Sequence, residues 1–136
     1  MKILNLNLPA FGPFTNAELD LSAGNHGLHI VYGPNEAGKS SSLRAITDLL
    51  YGIHSRTPDN FLHPYPRLRI GALLQHSDGS ILEIVRRKAT KNSLFNGDDS
   101  TPVDDIELTR LLGDVDRDLF HMMFGIDHER LRRGGE

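Results

Sequence analysis

A glycine-rich octapeptide followed by an amphipathic segment is the part of this sequence whose residue types and spacing could do chemistry. Residues 33–40 read Gly-Pro-Asn-Glu-Ala-Gly-Lys-Ser and fit the pattern G-x-x-x-x-G-K-[ST] at every fixed position. Glycines allow such a loop to turn tightly, so that successive backbone N–H groups point inward and can surround a phosphate. A helix that begins directly after the loop adds its partial positive charge at the same place. The segment therefore predicts a site for the phosphates of a nucleotide.

Each polar side chain of the loop has an expected role in such a site. Lys39 would reach the β- and γ-phosphates of ATP as a point charge, and it is the residue predicted to act in catalysis. Ser40 would bind Mg²⁺ through its hydroxyl, and Ser41 could add a hydrogen bond to a phosphate. The predicted nucleotide-binding residues are Gly33, Pro34, Asn35, Glu36, Ala37, Gly38, Lys39, Ser40 and Ser41. The predicted cofactors are ATP and Mg²⁺; the alternative for the same residues is a glycine-rich turn that binds nothing.

The segments on either side of the loop are those that such a site requires. Gly27–Tyr32 is a short apolar run, typical of a buried strand, and it leads directly into the loop. Ser40–Tyr51 predicts a helix, with Gly52 at its C-terminal cap. The face of this helix predicted to be apolar consists of Leu43, Ile46, Thr47 and Leu50. The sequence thus predicts a strand, a phosphate loop and a helix in succession.

The remaining segments predict further strands and two short helices. Alternating apolar residues predict strands, and the turn Phe11-Gly12-Pro13-Phe14 separates the first two of them. The predicted strands are Lys2–Leu8, Ala17–Leu21, Leu68–Gln75 and Ser80–Arg87, with Ser77-Asp78-Gly79 as the turn of the last pair and Asn96-Gly97 as a second hairpin turn. The predicted helices run from a cap at Asp104 or Asp105 to Leu112 and from a cap at Asp116 to Phe124. Ser55–Pro66, with three prolines, is predicted to be a loop.

Composition narrows the class of protein. The chain has 136 residues, a formal net charge of −3 and no cysteine. This length allows one domain or part of one, and the lack of cysteine excludes disulfides, Cys-ligated zinc, iron–sulfur clusters and thiol nucleophiles. No stretch approaches the roughly 18 consecutive apolar residues of a membrane span, and the N-terminus does not read as a signal peptide. The expected location is the cytoplasm, with no membrane partner.

Two groups of basic residues leave alternatives open. Arg86, Arg87, Lys88 and Lys91 could contact DNA phosphates, or they could form a charged and solvated edge of the sheet. Arg56, in the proline-marked loop, could reach nucleotide or a partner, or it could simply anchor that loop.

The order of these motifs resembles the N-terminal half of SbcC- and SMC-type ATPase heads, and more specifically the YhaN-like AAA domain family. The P-loop of residues 33–41, with Glu36-Ala37 in place of a more common Gly-Ser pair, is similar to that of the family. The other segments that carry the resemblance are Phe11–Phe14, Arg56–Asp59, Phe61–Tyr65, Val85–Lys88, Asp116–Phe120 and Phe124–Leu131. The resemblance extends over nearly the whole chain.

The resemblance implies an ATPase head that is divided along the sequence. The predicted fold is an α/β P-loop NTPase lobe with a central mixed sheet, an added antiparallel hairpin layer and short C-terminal helices. Its parts would be the strands and P-loop (1–54), the hairpin layer (55–103), acidic helices (104–125) and the start of a coiled-coil linker (126–136). The implied partners are the protein's own C-terminal lobe beyond the coiled coil, a second head in an ATP-dependent dimer, and DNA.

Several elements of a complete hydrolytic site are missing from the sequence. A Walker B strand would end in an Asp that holds Mg²⁺ through water, but Ser80–Glu83 is too short and alternates like a half-exposed strand. Arg133–Glu136 lacks the Ser of a signature motif. A Q-loop would lie near Asp127–Glu129, where there is no Gln; Asp127 or His128 could replace it, or Asp127 could cap a helix. The chain is therefore predicted to bind ATP without efficient hydrolysis of its own.

Two other functions remain compatible with the sequence. One is a P-loop kinase of a small metabolite, for which Arg56 and its loop are the candidates for a lid. The other is a nucleotide-gated clamp that binds DNA or a protein partner with little hydrolysis.

Overall fold

The structure, a computed structural model, describes residues 1–24, 27–34, 36–124 and 132–134 and contains one five-stranded sheet with helices on one face. The strands are β1 (Lys2–Phe11), β2 (Phe14–Asp20), β3 (Arg69–Gln75), β4 (Ile81–Arg87) and β5 (Leu94–Asn96). The helices are α1 (Lys39–Tyr51), α2 (Ile106–Leu112) and α3 (Arg117–Met123), and a 3₁₀ turn covers Tyr65–Arg67. The predicted α/β class and the short C-terminal helices are confirmed.

All neighbouring strands of the sheet are antiparallel, in the order β2-β1-β3-β4-β5. β1 is paired on both edges, and Leu6 lies opposite Leu19 of β2 and Ala72 of β3. The β3–β4 hairpin, predicted as an added layer, is part of this same sheet, because β3 pairs with β1. Its buried side chains extend the apolar face of β1. Among the described residues the sheet is therefore antiparallel rather than mixed.

The prediction of a buried strand over Gly27–Tyr32 is wrong for the described structure. Residues 27–33 form no regular element, and Leu28, Ile30 and Tyr32 are 80%, 78% and 89% exposed. A strand that is apolar on both faces needs neighbouring strands and cover on each side. Among the described residues no strand pairs with this segment and nothing covers its apolar side chains.

The hydrophobic core lies between α1 and the sheet. Leu6, Leu8, Ile70 and Ile84 of the sheet are buried against Leu49 of the helix. Burial of large aliphatic side chains of this kind stabilises a fold by about 1.5–3 kcal/mol each. The core thus fixes α1, and with it the start of the helix after residue 38, against the centre of the sheet.

The prediction for the buried face of the helix is confirmed in part, because Thr47 and Leu50 are buried as expected. Leu43 and Ile46 are only partly buried, whereas Ala45 and Leu49 are fully buried. The buried residues of α1 are Ser41, Ala45, Thr47, Asp48, Leu49 and Leu50. Ser41, Ala45 and Asp48 are buried although they are small or polar. The apolar pattern of the sequence therefore did not place them on the buried face of the helix.

The two C-terminal helices begin and end close to the predicted residues. The Asp104 carboxylate accepts a hydrogen bond from the Ile106 N–H at 3.0 Å, and the Asp116 carboxylate accepts one from the Leu119 N–H at 2.8 Å. Tyr51 donates its hydroxyl to the Val115 carbonyl at 2.9 Å, which ties the end of α1 to the start of α3.

Among the described residues no helix is long and apolar enough to cross a membrane.

Candidate nucleotide-binding site

The P-loop passes into α1 through a left-handed residue. Gly38 has φ +98° and occupies the N-cap position, and its carbonyl accepts hydrogen bonds from the Ser42 N–H at 2.8 Å and the Ser42 hydroxyl at 2.9 Å. Glu36 also has a positive φ, of +71°, and the Ala37 N–H donates to the Pro34 carbonyl at 3.2 Å. These turns bring the loop tightly onto the first turn of the helix, as a phosphate-binding loop requires.

Gly38 is required for a second reason, which is its contact with the β1–β2 hairpin. A Cβ at this position would lie 2.5 Å from Cζ of Phe14. The ring of Phe14 therefore packs directly under the loop, in space that only a glycine leaves free. This contact explains why an aromatic residue follows the turn of the first hairpin.

Lys39 is exposed and lies at the first residue of α1. Its ammonium donates to the Gly33 carbonyl and, at 3.0 Å, to the Pro34 carbonyl. The side chain is thus folded back over its own loop rather than pointing into solvent. A phosphate bound in the loop would compete with these carbonyls for the ammonium.

The first turn of α1 opens into a cavity of about 330 Å³. The residues lining this cavity, here called the P-loop cavity, are Pro13, Glu36, Gly38, Lys39, Ser40, Ser41, Arg44 and Phe61. Ser40 is exposed, and among the described residues its hydroxyl makes no hydrogen bond. Ser41 is buried and accepts a hydrogen bond from Arg44 Nη2 at 3.0 Å. The structure therefore brings the three predicted polar residues, Lys39–Ser41, to one cavity.

The residues of the P-loop cavity are suited to bind a magnesium ion that is also coordinated by the phosphates of a nucleotide. Mg²⁺ prefers oxygen ligands and usually keeps several waters while it binds one or two protein oxygens and the substrate phosphates. The free hydroxyl of Ser40 at the cavity wall is such an oxygen. Ser40 would hold the ion, which would supply charge neutralisation for the phosphates.

An ion pair next to the P-loop, between the half-exposed Arg44 and the buried Asp59, was not predicted from the sequence. Arg44 donates from Nε and Nη2 to the two carboxylate oxygens of Asp59 at 2.8 and 2.7 Å. Asp59 is only 1% exposed, and the hydrogen bond with it raises the pKa of the Arg44 guanidinium, which stays charged. The spacing of Arg44 four residues after Ser40 could have placed it on the same helix face. The burial of a loop aspartate has no comparable signal in the sequence.

Asp59 also links the loop after α1 to the first hairpin. Its carbonyl accepts a hydrogen bond from the Gly12 N–H at 2.9 Å, and a Cβ on Gly12 would lie 3.0 Å from the Asp59 carboxylate. Gly12 itself has φ +53°, a conformation that suits glycine. Two of the segments that resemble the family, around Gly12 and Asp59, are thus explained by one contact beside the P-loop.

Comparison with known proteins assigns the chain to a family. The family model described as an AAA domain matches residues 1–136. The chain belongs to this AAA domain family. It is 28% identical over 131 residues to the uncharacterized protein YhaN of Bacillus subtilis (strain 168). The aligned region covers 93% of this chain and 13% of YhaN. The chain therefore spans only about an eighth of the curated relative it matches.

The fold of this AAA domain is similar to that of a solved SMC ATPase. That structure, described as structural biochemistry of ATP-driven dimerization and DNA-stimulated activation of SMC ATPases, matches with a TM-score of 0.54. The match covers 98% of this chain and 96% of the other at 15% identity, so it shows the fold alone. The predicted resemblance to YhaN-like and SMC-type domains is confirmed, and the family indicates a nucleotide-binding domain of the ATPase type.

Three of the four basic residues near the end of β4, namely Arg86, Arg87 and Lys88, make contacts within the AAA domain. Arg86 is buried; it donates to the carbonyls of Leu49 and Leu50 at the end of α1 and to the Asp105 carboxylate. Arg87 donates to Asp99 at 2.7 Å, and Lys88 lies 4.7 Å from the centre of the Tyr65 ring. The prediction of a solvated edge is therefore wrong for Arg86, which is buried and bonded to the last turn of the P-loop helix.

Arg56 does not line the P-loop cavity. It lies at a second cavity of about 300 Å³ behind α1, and only its backbone N–H has a described hydrogen bond, to His54 Nδ1 at 3.1 Å. The loop is anchored by Asp59 instead, whose N–H donates to the Thr57 hydroxyl at 3.2 Å. Anchoring by the Arg56 side chain, one of the two predicted roles, is not what the described contacts show.

The same second cavity exposes an edge of Asp48, an otherwise buried carboxylate of α1. Burial raises the pKa of Asp48 to about 6, against the lowering effect of Arg117, whose Nη2 lies 3.6 Å away. Asp48 lines this second cavity and not the P-loop cavity.

Some predicted positions lie outside the described residues. These are Asn35 of the P-loop, Asp127–Glu129 as the place of a Q-loop, and most of the linker from residue 126. Their predictions stay predictions.

Proposed function

We propose that this chain is the ATP- and Mg²⁺-binding N-terminal half of an ATPase head of the SbcC/SMC type. The observation that supports this proposal is the placement of Lys39, Ser40 and Ser41 on the first turn of α1, all lining one cavity at the helix N-terminus. The helix end, the lysine and the backbone N–H groups would together stabilise the negative charge of a triphosphate. The cytoplasm, where ATP and Mg²⁺ are abundant, is the proposed location.

The chain's own residues would act by binding and orienting the phosphates. Lys39 would exchange its bonds to the Gly33 and Pro34 carbonyls for bonds to phosphate oxygens. Arg44, fixed by Asp59, presents a second cation at the wall of the same cavity. Ser40 would hold Mg²⁺ beside the phosphates.

Substitution of Lys39 tests this proposal. We expect Lys39→Ala to abolish ATP binding, since the side chain supplies a full charge within the phosphate site, while the backbone of α1 is unaffected. The measurement is calorimetric titration of the chain with Mg-ATP. Lys91→Ala, at an exposed lysine in the loop after β4, is the matched control and should leave the affinity unchanged. Unchanged ATP affinity in Lys39→Ala would disprove the assignment.

Efficient hydrolysis is proposed to need a second lobe that supplies the Walker B and signature residues. The exposed apolar segment Leu28–Tyr32 lies directly before the P-loop and supports this proposal, because a second lobe of the same protein could pair with it and cover it. Head engagement would then bring two such sites together around ATP, and this engagement would act in DNA transactions. The described contacts of Arg86–Lys88 give no reason to place DNA on that part of this lobe.

Phosphate release separates binding from turnover. The chain alone should bind Mg-ATP and release phosphate at no more than the background rate, because its sequence contains no Walker B strand to supply the carboxylate that orients the attacking water. Turnover by the purified chain that Lys39→Ala abolishes would show that a catalytic group lies within these 136 residues, against the half-site proposal.

A further inference from the structure

An exposed aromatic ring lies at the wall of the P-loop cavity. Phe61 is 63% exposed and lies outside the hydrophobic core, yet it lines the same cavity as Lys39 and Ser40. A large apolar side chain left in water contributes nothing to folding by burial. Its position next to a phosphate site points instead to contact with a ligand.

The loop that presents Phe61 is held on both sides of this residue. Asp59, two residues before it, is bonded to Arg44 of α1 and to Gly12 of the first hairpin. His63, two residues after it, has its Nε2 at 2.8 Å from the Thr15 hydroxyl and 3.1 Å from the Phe14 carbonyl. The ring is therefore carried by a segment whose position relative to the P-loop is fixed by four contacts.

A second apolar side chain lines the same cavity. Pro13 lies at the exposed tip of the β1–β2 turn, which Gly12 ties to Asp59. The lining of the cavity thus includes the cationic side chains of Lys39 and Arg44, the acidic Glu36, and the apolar side chains of Pro13 and Phe61. A nucleotide has charged phosphates at one end and a flat base with two π-faces at the other.

We propose that Phe61 stacks on the base of the bound nucleotide, with Pro13 beside it, so that this loop contributes to affinity and to the preference for purines. This inference rests on the proposed function, since it needs the triphosphate to occupy the P-loop. Stacking on an aromatic ring accepts any base, but the larger ring system of a purine gains more contact area than a pyrimidine.

The test compares a ligand that has a base with one that has none. The affinities of Mg-ATP and Mg-tripolyphosphate are measured by calorimetry for the wild-type chain and for Phe61→Ala. We expect Phe61→Ala to weaken ATP binding by about 5- to 150-fold, the range found when a stacking residue is removed, and to change tripolyphosphate binding less than twofold. Phe61→Tyr should retain the affinity of wild type for ATP, and wild type should bind ATP more tightly than UTP.

Leu62→Ala is the matched control, because Leu62 is 57% exposed on the same loop but does not line the P-loop cavity. It should leave both affinities unchanged. Equal losses for ATP and tripolyphosphate in Phe61→Ala, or no loss for either, would overturn the stacking role while the P-loop assignment stands. If wild type fails to bind tripolyphosphate and ATP alike, the proposed function itself has failed.

Discussion

At the scale of single residues, the P-loop depends on a glycine that meets two demands at once. Gly38 needs a positive φ to start α1, and it must leave room for the ring of Phe14. The positive φ lowers the stability of a variant with a Cβ at this position by about 1–2 kcal/mol. The clash between that Cβ and the Phe14 ring lowers it further. A substitution here affects the site and the fold together.

We expect Gly38→Ala to lower the free energy of unfolding by about 3 kcal/mol, as measured by urea denaturation, and to weaken ATP binding. Gly79→Ala is the control, because Gly79 has a similar φ of +89° but no atom within 4 Å of an added Cβ. Its cost should be only the 1–2 kcal/mol of the backbone conformation. Equal losses in the two variants would show that Phe14 does not restrict this position.

Asp48 should make stability depend on pH in an unusual direction for a carboxylate. Burial raises its pKa to about 6 from the ordinary 3.8, so the folded state keeps a proton that the unfolded state loses between these values. The free energy of unfolding therefore falls as pH rises from about 4 to 6, by up to about 3 kcal/mol from this group, and stays lower above pH 6.

The neutral isostere provides the measurement. Asp48→Asn resembles the protonated carboxyl, and Arg117 keeps its hydrogen bond to the Gly52 carbonyl. Urea unfolding should find Asp48→Asn more stable than wild type at pH 8, with the difference vanishing near pH 4. A difference that is the same at both pH values would contradict the raised pKa.

At the scale of elements, α1 is held at its two ends by arginines with different functions. Arg44 near the start pairs with Asp59 at the P-loop cavity, whereas Arg86 bonds to the last carbonyls of the helix. Those carbonyls have no partner within a helix and must be satisfied in some other way when they are buried. Arg86 supplies that partner from the adjacent sheet.

Replacement of Arg86 by Ala should destabilise the domain by about 3 kcal/mol, because it leaves buried carbonyls and the Ser93 hydroxyl without their donor. Arg86→Lys should recover only part of this loss, since one ammonium cannot reproduce the planar fork that bonds to Leu49, Ser93 and Asp105. Urea unfolding measures both, with Lys91→Ala as a surface control. Full recovery by Lys would mean that only the charge matters.

The elements that were predicted correctly are those set by neighbouring residues. The cap at Asp116, the turn at Ser77–Gly79 and the P-loop followed by a helix all depend on residues within a few positions of each other. The Arg44–Asp59 pair and the contacts of Arg86 with Leu49 and Asp105 join residues that are 15 or more positions apart, so no local pattern predicts them. The segment Gly27–Tyr32 was mistaken because its pattern is that of a buried strand, whereas burial depends on what covers it.

At the scale of the whole molecule, apolar side chains are buried in the core but exposed in the segment before the P-loop. The core under α1 is closed, but Leu28, Ile30 and Tyr32 before the P-loop are almost fully exposed. Contiguous apolar surface of this kind is found at sites of contact with other parts of a protein. It suits the proposal that a second lobe completes the head.

Ile30→Ser should reduce both the binding of the dye ANS and the self-association of the isolated chain, without lowering the free energy of unfolding, because Ile30 packs on little in the described structure. ANS fluorescence and sedimentation velocity are the measurements. Ile81→Ser, at another exposed isoleucine, is the control and should change neither. A large loss of stability in Ile30→Ser would show that the segment is packed within this chain.

The register of the sheet also determines when during synthesis the site can form. β1 is synthesised before β3, but Lys2 pairs with Gln75 and Ala10 pairs with Arg69. The chain must therefore close a loop that contains the P-loop and α1 before β1 gains its second neighbour, at a cost in entropy. Until then α1 has no complete sheet to pack against. We therefore expect the phosphate loop of a nascent chain to gain its full scaffold only after most of β3 has been synthesised.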